Sequence, residues 1–235
     1  MRVTPVRCIA KIFSVFAAAF SLAVISCAAN DDSASLTIQM PGSSSSRAIS
    51  SEGHLEASDA PDLNFSVYIR DSDNEEVEKY TNVAPGTKLT ISALRAGNYK
   101  VAIRGNEQTA EIGTLVQMYG SADAVVQGGV ENTVDIKLEE VNYDNCKIVF
   151  TNSSAVHWDL VNAKITCKNG DFYNNISGSL STDPDGAYFD LSSYFFEPNF
   201  DYTIEITVVN AMDSSTHHFK TSATATKDGI VFTVN

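Results

Sequence analysis

The side chain with the most specific chemical context in this sequence is the thiol of Cys27, which ends an apolar run. Arg2, Arg7 and Lys11 precede the run, and no acidic residue accompanies them. The run, residues 12–25, matches the apolar part of a secretory signal peptide. It is shorter than the ~20 residues that a transmembrane helix needs. The sequence therefore predicts export, with a nucleophilic thiol left at the membrane face.

The residues Val24-Ile25-Ser26-Cys27 resemble a bacterial lipobox, although Ile25 is bulkier than the small residue favoured there. The resemblance implies that Cys27 is acylated and becomes the first residue of the mature protein. Two or three acyl chains would anchor the protein stably in a membrane. Ala28 and Ala29 follow, where an aspartate retains lipoproteins in the inner membrane of several bacteria, so the resemblance favours the outer membrane. The alternative is an ordinary signal peptide with a chance cysteine.

Cys146 and Cys167 are the two other cysteines of the expected mature chain, because Cys8 lies in the leader. They are 21 residues apart, and an exported protein folds in an oxidising compartment. We therefore identify them as a candidate disulfide, which would close a loop contributing ~3 kcal/mol. Two thiols without a nearby histidine pattern do not predict a metal site.

Aromatic residues crowd the C-terminal half of the chain, and the run Tyr194-Phe195-Phe196 is a candidate binding surface. Three consecutive side chains cannot all point into the core from a regular strand. Exposed aromatic residues at the end of a β-sandwich bind glycans or proteins. Buried aromatic residues are core, and for the C-terminal half as a whole this is the preferred interpretation.

The remaining polar residues predict no catalytic centre, no cofactor and no metal. His217 and His218 are adjacent, so on a strand they point to opposite faces and cannot bind one metal ion together. Asp71-x-Asp73-x-Glu75-Glu76 alternates oxygen ligands as a calcium loop does, but Glu76 stands where such a loop has glycine. A solvated hairpin tip is the preferred interpretation of these acids. The patterns His-Glu-x-x-His and Gly-x-Ser-x-Gly do not occur.

The charge of the chain excludes two classes of partner. The whole chain has 16 basic and 29 acidic residues, and the leader holds three of the basic ones and none of the acidic ones. The mature net charge is therefore −16. Such a surface argues against nucleic acid, which binds through lysine and arginine, and against lying flat on anionic headgroups.

Short alternating segments separated by turns run through the mature chain, and they predict an all-β fold. The strand at residues 36–40 precedes a Ser-rich link, and Asn169-Gly170 predicts a hairpin. We predict two tandem β-sandwich domains, residues 63–141 and 142–235. They follow the leader, residues 1–27, and a tether, residues 28–62. The tether carries one strand and the Ser-rich link, and the start of that link could close the first sheet. A short helical turn is predicted at residues 155–160.

Leu94, Gly97, Tyr99 and Val101, with a later turn at Gly129, resemble a signature of immunoglobulin-like or transthyretin-like modules of the carboxypeptidase-regulatory type. The resemblance covers about residues 60–140. It implies a Tyr99 ring packed in the core, with its hydroxyl bonded back to the backbone as in a tyrosine corner.

Two functional hypotheses follow. The first is a non-enzymatic lipoprotein, anchored in the membrane by Cys27, that displays β-sandwich binding modules to an extracellular protein or glycan. The second rests on a resemblance to fimbrillin-like pilus subunits, in which a lipobox and a first strand precede Ser/Thr-Arg-Ala. Here Ser46-Arg47-Ala48 follows the first strand. The resemblance implies cleavage after Arg47 and assembly by strand exchange.

Overall fold

The computed structural model describes residues 33–41, 64–109, 114–183 and 186–235. Within these residues the chain is all-β except for one short 3-10 helix, Ser153–His157. No helix in the described ranges is long and apolar enough to cross a membrane. Cys27, the leader and Ser46-Arg47-Ala48 lie outside these ranges, so their predicted roles stay predictions.

The first half of the described chain forms two facing sheets. The strands are β1 (Ser33–Gln39), β2 (Phe65–Arg70), β3 (Glu76–Val83), β4 (Lys88–Arg95), β5 (Gly97–Gly105), β6 (Gln108–Thr109), β7 (Thr114–Leu115), β8 (Met118–Val126), β9 (Glu131–Val134) and β10 (Glu139–Glu140). One sheet has the order β4-β1-β9, and the other has the order β10-β8-β5-β2-β3. The short strands β6 and β7 form a separate pair.

The apolar residues of both sheets form a first core. Every second side chain of a strand points to the same face, so the inward-facing residues of the two sheets meet. Leu36 and Ile38 come from β1, and Val67, Val101 and Ile103 come from the facing sheet; all five are 0% exposed. β1 forms part of the first sandwich, because it lies between β4 and β9 in the middle of its sheet.

The predicted tyrosine corner is present at the start of β5. The ring of Tyr99 packs against the first core, and its hydroxyl donates to the backbone oxygen of Arg95 at 2.9 Å. The bond ties β5 to the end of β4, which is the role that the resemblance implied.

The second half forms another pair of sheets. Its strands are β11 (Cys146–Phe150), β12 (Trp158–Cys167), β13 (Phe172–Ser179), β14 (Ser181–Asp183), β15 (Gly186–Asp190), β16 (Asp201–Asn210), β17 (Thr216–Thr224) and β18 (Ile230–Val234). The sheets have the orders β14-β15-β11-β18 and β13-β12-β16-β17. Ile148, Phe150, Ile204 and Phe232 are among the side chains of the separate second core.

The predicted helical turn lies earlier than expected. It spans Ser153–His157, and Trp158 already begins β12. Asn152 sets this start, because its side-chain oxygen accepts the backbone N–H of Ser154 at 2.9 Å.

Candidate functional site at the junction of the two sandwiches

The outer face of the five-stranded sheet carries polar side chains that point toward the second sandwich. Tyr68 and Arg70 stand on β2, opposite Ala102 and Lys100 of β5, and Arg104 lies further along β5. Arg70 is 0% exposed and Arg104 is 3% exposed. Both faces of β2 are therefore buried, one in the first core and one against the second sandwich.

The second sandwich supplies acidic and amide groups from two loops. The turn between β12 and β13 contains Asn169 and Asp171, and Gly170 adopts φ +90° there, as the Asn-Gly pair predicts. Glu197 lies in the connection between β15 and β16 and is 0% exposed. The loops at this end of the second sandwich thus face the arginines of the first.

Glu197 joins both arginines. Nη1 and Nη2 of Arg70 donate to its two carboxylate oxygens at 2.6 and 2.9 Å. Nη2 of Arg104 donates to Oε2 at 2.7 Å, and the hydroxyl of Tyr119 donates to Oε1 at 3.0 Å. Asn169 donates to Oε2 at 3.2 Å. Bidentate arginine–carboxylate pairs of this kind combine charge with fixed geometry.

Asp171 is the second carboxylate that the second sandwich supplies, and Oε1 of Glu107, from the first sandwich, lies 3.3 Å from Arg104 Nη1. Asp171 accepts from Arg104 Nη2 at 2.9 Å and from the hydroxyl of Tyr202 at 2.7 Å. That hydroxyl in turn accepts the backbone N–H of Glu197 at 2.7 Å. Two cations from the first sandwich therefore meet two anions from the second. We call Arg70, Arg104, Asn169, Asp171, Glu197 and Tyr202 the junction network.

Electrostatics in the junction network favour the charged forms. Burial opposes ionisation of Glu197, but the charges of Arg104 and Arg70 hold the pKa of its carboxyl below the ordinary range. Burial likewise disfavours charged Arg104, yet Asp171 and Glu197 raise its pKa well above the usual value. Burial raises the pKa of Tyr202, and Asp171 raises it further. Glu197 and Arg104 are therefore both charged at neutral pH.

Aromatic rings surround the two guanidinium groups. The centroid of the Phe195 ring lies 4.8 Å from Cζ of Arg104, and that of Phe200 lies 5.2 Å from Cζ of Arg70. Tyr68 lies 4.5 Å from the same Arg104 carbon. Such contacts favour a desolvated cation. The Nε atoms of both arginines are buried without a hydrogen-bond acceptor in the described structure, so the network is not fully compensated.

The candidate binding run Tyr194-Phe195-Phe196 is buried, which contradicts its assignment as an exposed surface. The three side chains are 5%, 1% and 5% exposed. They lie in an irregular connection rather than a strand, so consecutive side chains can turn toward different neighbours. Tyr194 and Phe196 enter the second core, while the ring of Phe195 contacts Tyr119 of the first sandwich at 5.6 Å.

The candidate disulfide is not formed, because Cys146 and Cys167 are both free in the structure. They lie on β11 and β12, which belong to different sheets. Burial raises the pKa of both thiols, that of Cys167 to about 11. Each side chain is therefore a protonated thiol at neutral pH, which disfavours the thiolate that disulfide formation needs.

The acidic hairpin tip behaves as the preferred interpretation predicts. Oδ1 of Asp71 accepts the backbone N–H groups of Asp73 and Glu75 at 2.9 and 3.0 Å, so it caps the turn. No group of side chains suited to hold a metal ion occurs among the described residues. His217 and His218 lie on β17, and His217 stacks on Trp158 with ring centroids 5.1 Å apart.

Two cavities adjoin these elements. One of about 60 Å³ lies beside the junction, between Tyr119, Tyr143 and Phe196, and is far smaller than the ~300 Å³ of a typical ligand pocket. The other, about 390 Å³, lies at the end of the first sandwich, between Asp71, Asn98 and other residues of the β2 and β5 ends.

Sequence reasoning missed the junction network. The available signals were two arginines that directly follow an isoleucine, Arg70 and Arg104, and an acid, Glu197, directly after an aromatic run. None of them indicates its partner, because the two halves of the network are about a hundred residues apart in the chain.

Comparison with known proteins gives one family and several distant structures. A family model described as "Domain of unknown function (DUF4493)" matches residues 35–235. No curated protein matches the chain. The fimbrial anchor protein Mfa2 from Porphyromonas gingivalis is 14% identical, with 80% of this chain and 81% of that chain covered and a TM-score of 0.34.

A proposed cell adhesion protein from Bacteroides eggerthii is 11% identical, with 86% of each chain covered and a TM-score of 0.31. A proposed adhesin from Bacteroides ovatus is 10% identical, with 80% of this chain and 76% of that chain covered and a TM-score of 0.30.

Proposed function

Because this chain belongs to the DUF4493 family, a domain of unknown function, we propose its role from its own residues. It is a non-enzymatic lipoprotein of the cell envelope. Cys27 anchors it, in the outer membrane, and two β-sandwiches project from the anchor to bind an extracellular protein or glycan.

The junction network is the observation that carries this proposal. Glu197 accepts hydrogen bonds from Arg70, Arg104 and Tyr119 of the other sandwich and has no exposed surface. A buried carboxylate with these partners is unsuited to a reacting substrate and well suited to hold two modules in one orientation. A fixed orientation is useful in a protein that presents a surface at a set distance from its anchor.

Fatty-acid labelling tests the anchor. Cells that express the full chain should incorporate labelled palmitate into it, and the protein should sediment with membranes. Cys27→Ser should lose the label and leave the membrane fraction, whereas Cys8→Ser, which changes only the leader, should keep both. Label that survives Cys27→Ser would overturn the anchoring role.

A binding screen tests display. The mature chain is incubated with arrays of glycans and extracellular proteins, and retained ligands are examined for chemical change. We expect saturable binding with the ligand unaltered. Turnover of a ligand would contradict the non-enzymatic role, and the absence of saturable binding on both arrays would contradict the display role.

The position of β1 favours a second function, that of a pilus subunit or pilus anchor assembled by strand exchange. β1 lies between β4 and β9, and its side chains Leu36 and Ile38, like Met40 just beyond it, are 0% exposed. Cleavage after Arg47 would separate β1 covalently from the rest of the chain. Loss of β1 would leave a groove between β4 and β9 that a strand of another subunit could fill.

The mature protein distinguishes the two functions. Strand exchange predicts ladders of polymers and chains that begin at Ala48, and Arg47→Ala should abolish both. Intact monomers that keep Cys27 as their first residue would contradict the pilus function and leave the display function standing.

A further inference from the structure

The strand β17 is the longest outermost strand in the described sheets, and its pairing register is unbroken. It has nine residues and pairs with β16 at every position from Asp201↔Thr224 to Val209↔Thr216. It is the last strand of the order β13-β12-β16-β17. A long regular edge is a template for another chain, and proteins usually protect such edges.

The other outermost strands in the described sheets are shorter and are irregular or very short. The pairings of β3, β4 and β13 all contain register shifts, and each strand has a residue with positive φ: Asn82, Ala93 and Asn175. The remaining edge strands β9, β10, β14 and β18 have five residues or fewer. Irregular or short edges pair poorly with a new strand. β17 is both longer than these strands and regular in its pairing.

The hydrogen bonds at both ends of β17 determine which backbone groups face the free edge. Asn210 N–H donates to the Ser215 oxygen at 2.8 Å, and Ala225 N–H donates to the Phe200 oxygen at 2.9 Å. In an antiparallel ladder, residue pairs that exchange backbone hydrogen bonds alternate with pairs that do not. Ser215 and Ala225 belong to hydrogen-bonded pairs, so the odd-numbered residues between them direct their N–H and C=O groups toward β16. The N–H and C=O groups that point outward therefore belong to every second residue, which are Thr216, His218, Lys220, Ser222 and Thr224.

The charge of β17 indicates the kind of partner. The strand contains one basic residue that is charged at neutral pH, Lys220, and no acidic residue, although the whole chain has a net charge of −13. The side chain of Lys220 is 67% exposed, and among the described residues it forms an ion pair with Glu205 on the neighbouring strand. An acidic side chain on an added strand would lie opposite Lys220, where opposite charges stabilise a cross-strand pair.

A second copy of this chain is a poorer partner. Lys220 is the middle residue of β17, so an antiparallel pair of β17 strands in full register would place two Lys220 side chains opposite each other. Like charges in that position are destabilising. We propose that β17 is a docking edge for an extended acidic segment of another protein, bound by strand addition.

Peptide binding to the full chain tests the proposal. The probe is a fluorescent nine-residue peptide that alternates threonine and valine around a central glutamate, and the control peptide has lysine at the centre. Fluorescence anisotropy should show tighter binding of the glutamate peptide and a loss of that preference at high salt. Equal affinity for the two peptides at low salt would overturn the proposal.

Substitutions on the edge give the matched comparison. Ser222→Pro removes an outward N–H without touching a bond to β16, while Ser222→Ala keeps that N–H; both lose the contact of Ser222 with Thr203. The proline variant should bind about tenfold more weakly than the alanine variant, the value of one hydrogen bond at the upper end of its range. Equal binding by the two variants would overturn the proposal.

Lys220→Glu gives a second readout that does not depend on proline. It should invert the preference, so that the lysine peptide binds more tightly than the glutamate peptide. An unchanged preference would contradict docking at β17. Dimers that form in the wild type and are lost in Ser222→Pro would instead assign the edge to a second copy.

Discussion

Glu197 combines complete burial with hydrogen bonds from three side chains of the other sandwich and one of its own. Removing a charge from such a group is costly, because its partners stay buried without compensation. Replacing a whole buried ion cluster by apolar residues is often neutral. A single substitution in the junction network should therefore destabilise the protein, whereas replacing all of its charged members together should not.

Glu197→Gln should lower the free energy of unfolding by ~3–5 kcal/mol, the usual cost of breaking a buried ion pair. The change leaves Arg70 and Arg104 buried with a neutral acceptor. Denaturant titration measures it. The control is Glu205→Gln, which removes an exposed partner of Lys220 and should leave stability nearly unchanged. Equal effects of the two substitutions would contradict a structural role for the network.

Acid should weaken the same contact. The charges of Arg104 and Arg70 lower the pKa of folded Glu197 below its ordinary value of 4.5, against the opposing effect of burial. Between the folded and unfolded pKa values the unfolded chain binds more protons, so stability rises with pH there. The contribution should be complete at neutral pH and decline below about 4.5. Unfolding titrations across this range should show a shallower decline for Glu197→Gln than for wild type.

Side-chain chemistry alone could identify some of these residues but not their partners. Tyr99 was predictable, because a tyrosine corner bonds to backbone four residues away. Tyr194, Phe195 and Phe196 were ambiguous, since a strand would expose one of them and an irregular connection need not. The role of Glu197 could not be predicted from the sequence, because it depends on an ion pair with Arg70, which lies 127 residues earlier.

At the scale of the strand, β2 shows why pattern reasoning reaches the fold more easily than the site. Val67 and Ile69 alternate with Tyr68 and Arg70, and a period of two places Val67 and Ile69 in the core. Tyr68 and Arg70 lie on the opposite face of β2. The alternation is the same if that face is exposed to water or covered by a second domain. Tyr68 and Arg70 are buried because the second sandwich covers that face of β2. The alternation of residues along β2 cannot predict that a second domain lies there.

Gly120 on β8 lies where the backbone of β8 closely approaches the backbone at Lys137. A Cβ there would overlap the carbonyl oxygen of Lys137 and lie 2.9 Å from Cγ2 of Ile136. Gly120→Ala should therefore destabilise the protein by ~1–3 kcal/mol, the range for overpacking. Thermal unfolding measures it.

Gly97 provides the matched control on the neighbouring strand. A Cβ at Gly97 would lie 3.7 Å from Tyr99, an ordinary contact. Gly97→Ala should be neutral or stabilise by up to ~1 kcal/mol, because alanine restricts the unfolded chain. If Gly120→Ala were as well tolerated as Gly97→Ala, the close approach of β8 to Lys137 would be wrong.

At the scale of the whole molecule, two separate hydrophobic cores meet at a contact that contains the junction network and the aromatic rings around it. The first core draws on residues between Ala34 and Leu138, and the second on residues between Cys146 and Val234. Neither core needs side chains of the other for its own packing. The junction network should therefore determine the orientation of the sandwiches more than the stability of either one.

This view predicts a variant that stays folded but loses its fixed orientation. Arg70→Met, Arg104→Met, Glu197→Met and Asp171→Asn together remove two cations and two anions, so the net charge is unchanged. Spin labels at Val77→Cys and Val161→Cys, which replace exposed residues of β3 and β12, report the distance between the sandwiches. The background carries alanine at the four natural cysteines, Cys8, Cys27, Cys146 and Cys167, so that only the two introduced thiols take the label.

We expect one narrow distance distribution in the otherwise wild-type chain and a broad one in the combined variant, with both cores still folded by circular dichroism. The apolar replacements fill similar volume, so the cores keep their packing, but the bidentate geometry that specifies orientation is gone. Lys220→Gln with Glu205→Gln removes an exposed ion pair and should leave the distribution narrow. A narrow distribution in the combined variant would show that shape alone sets the orientation.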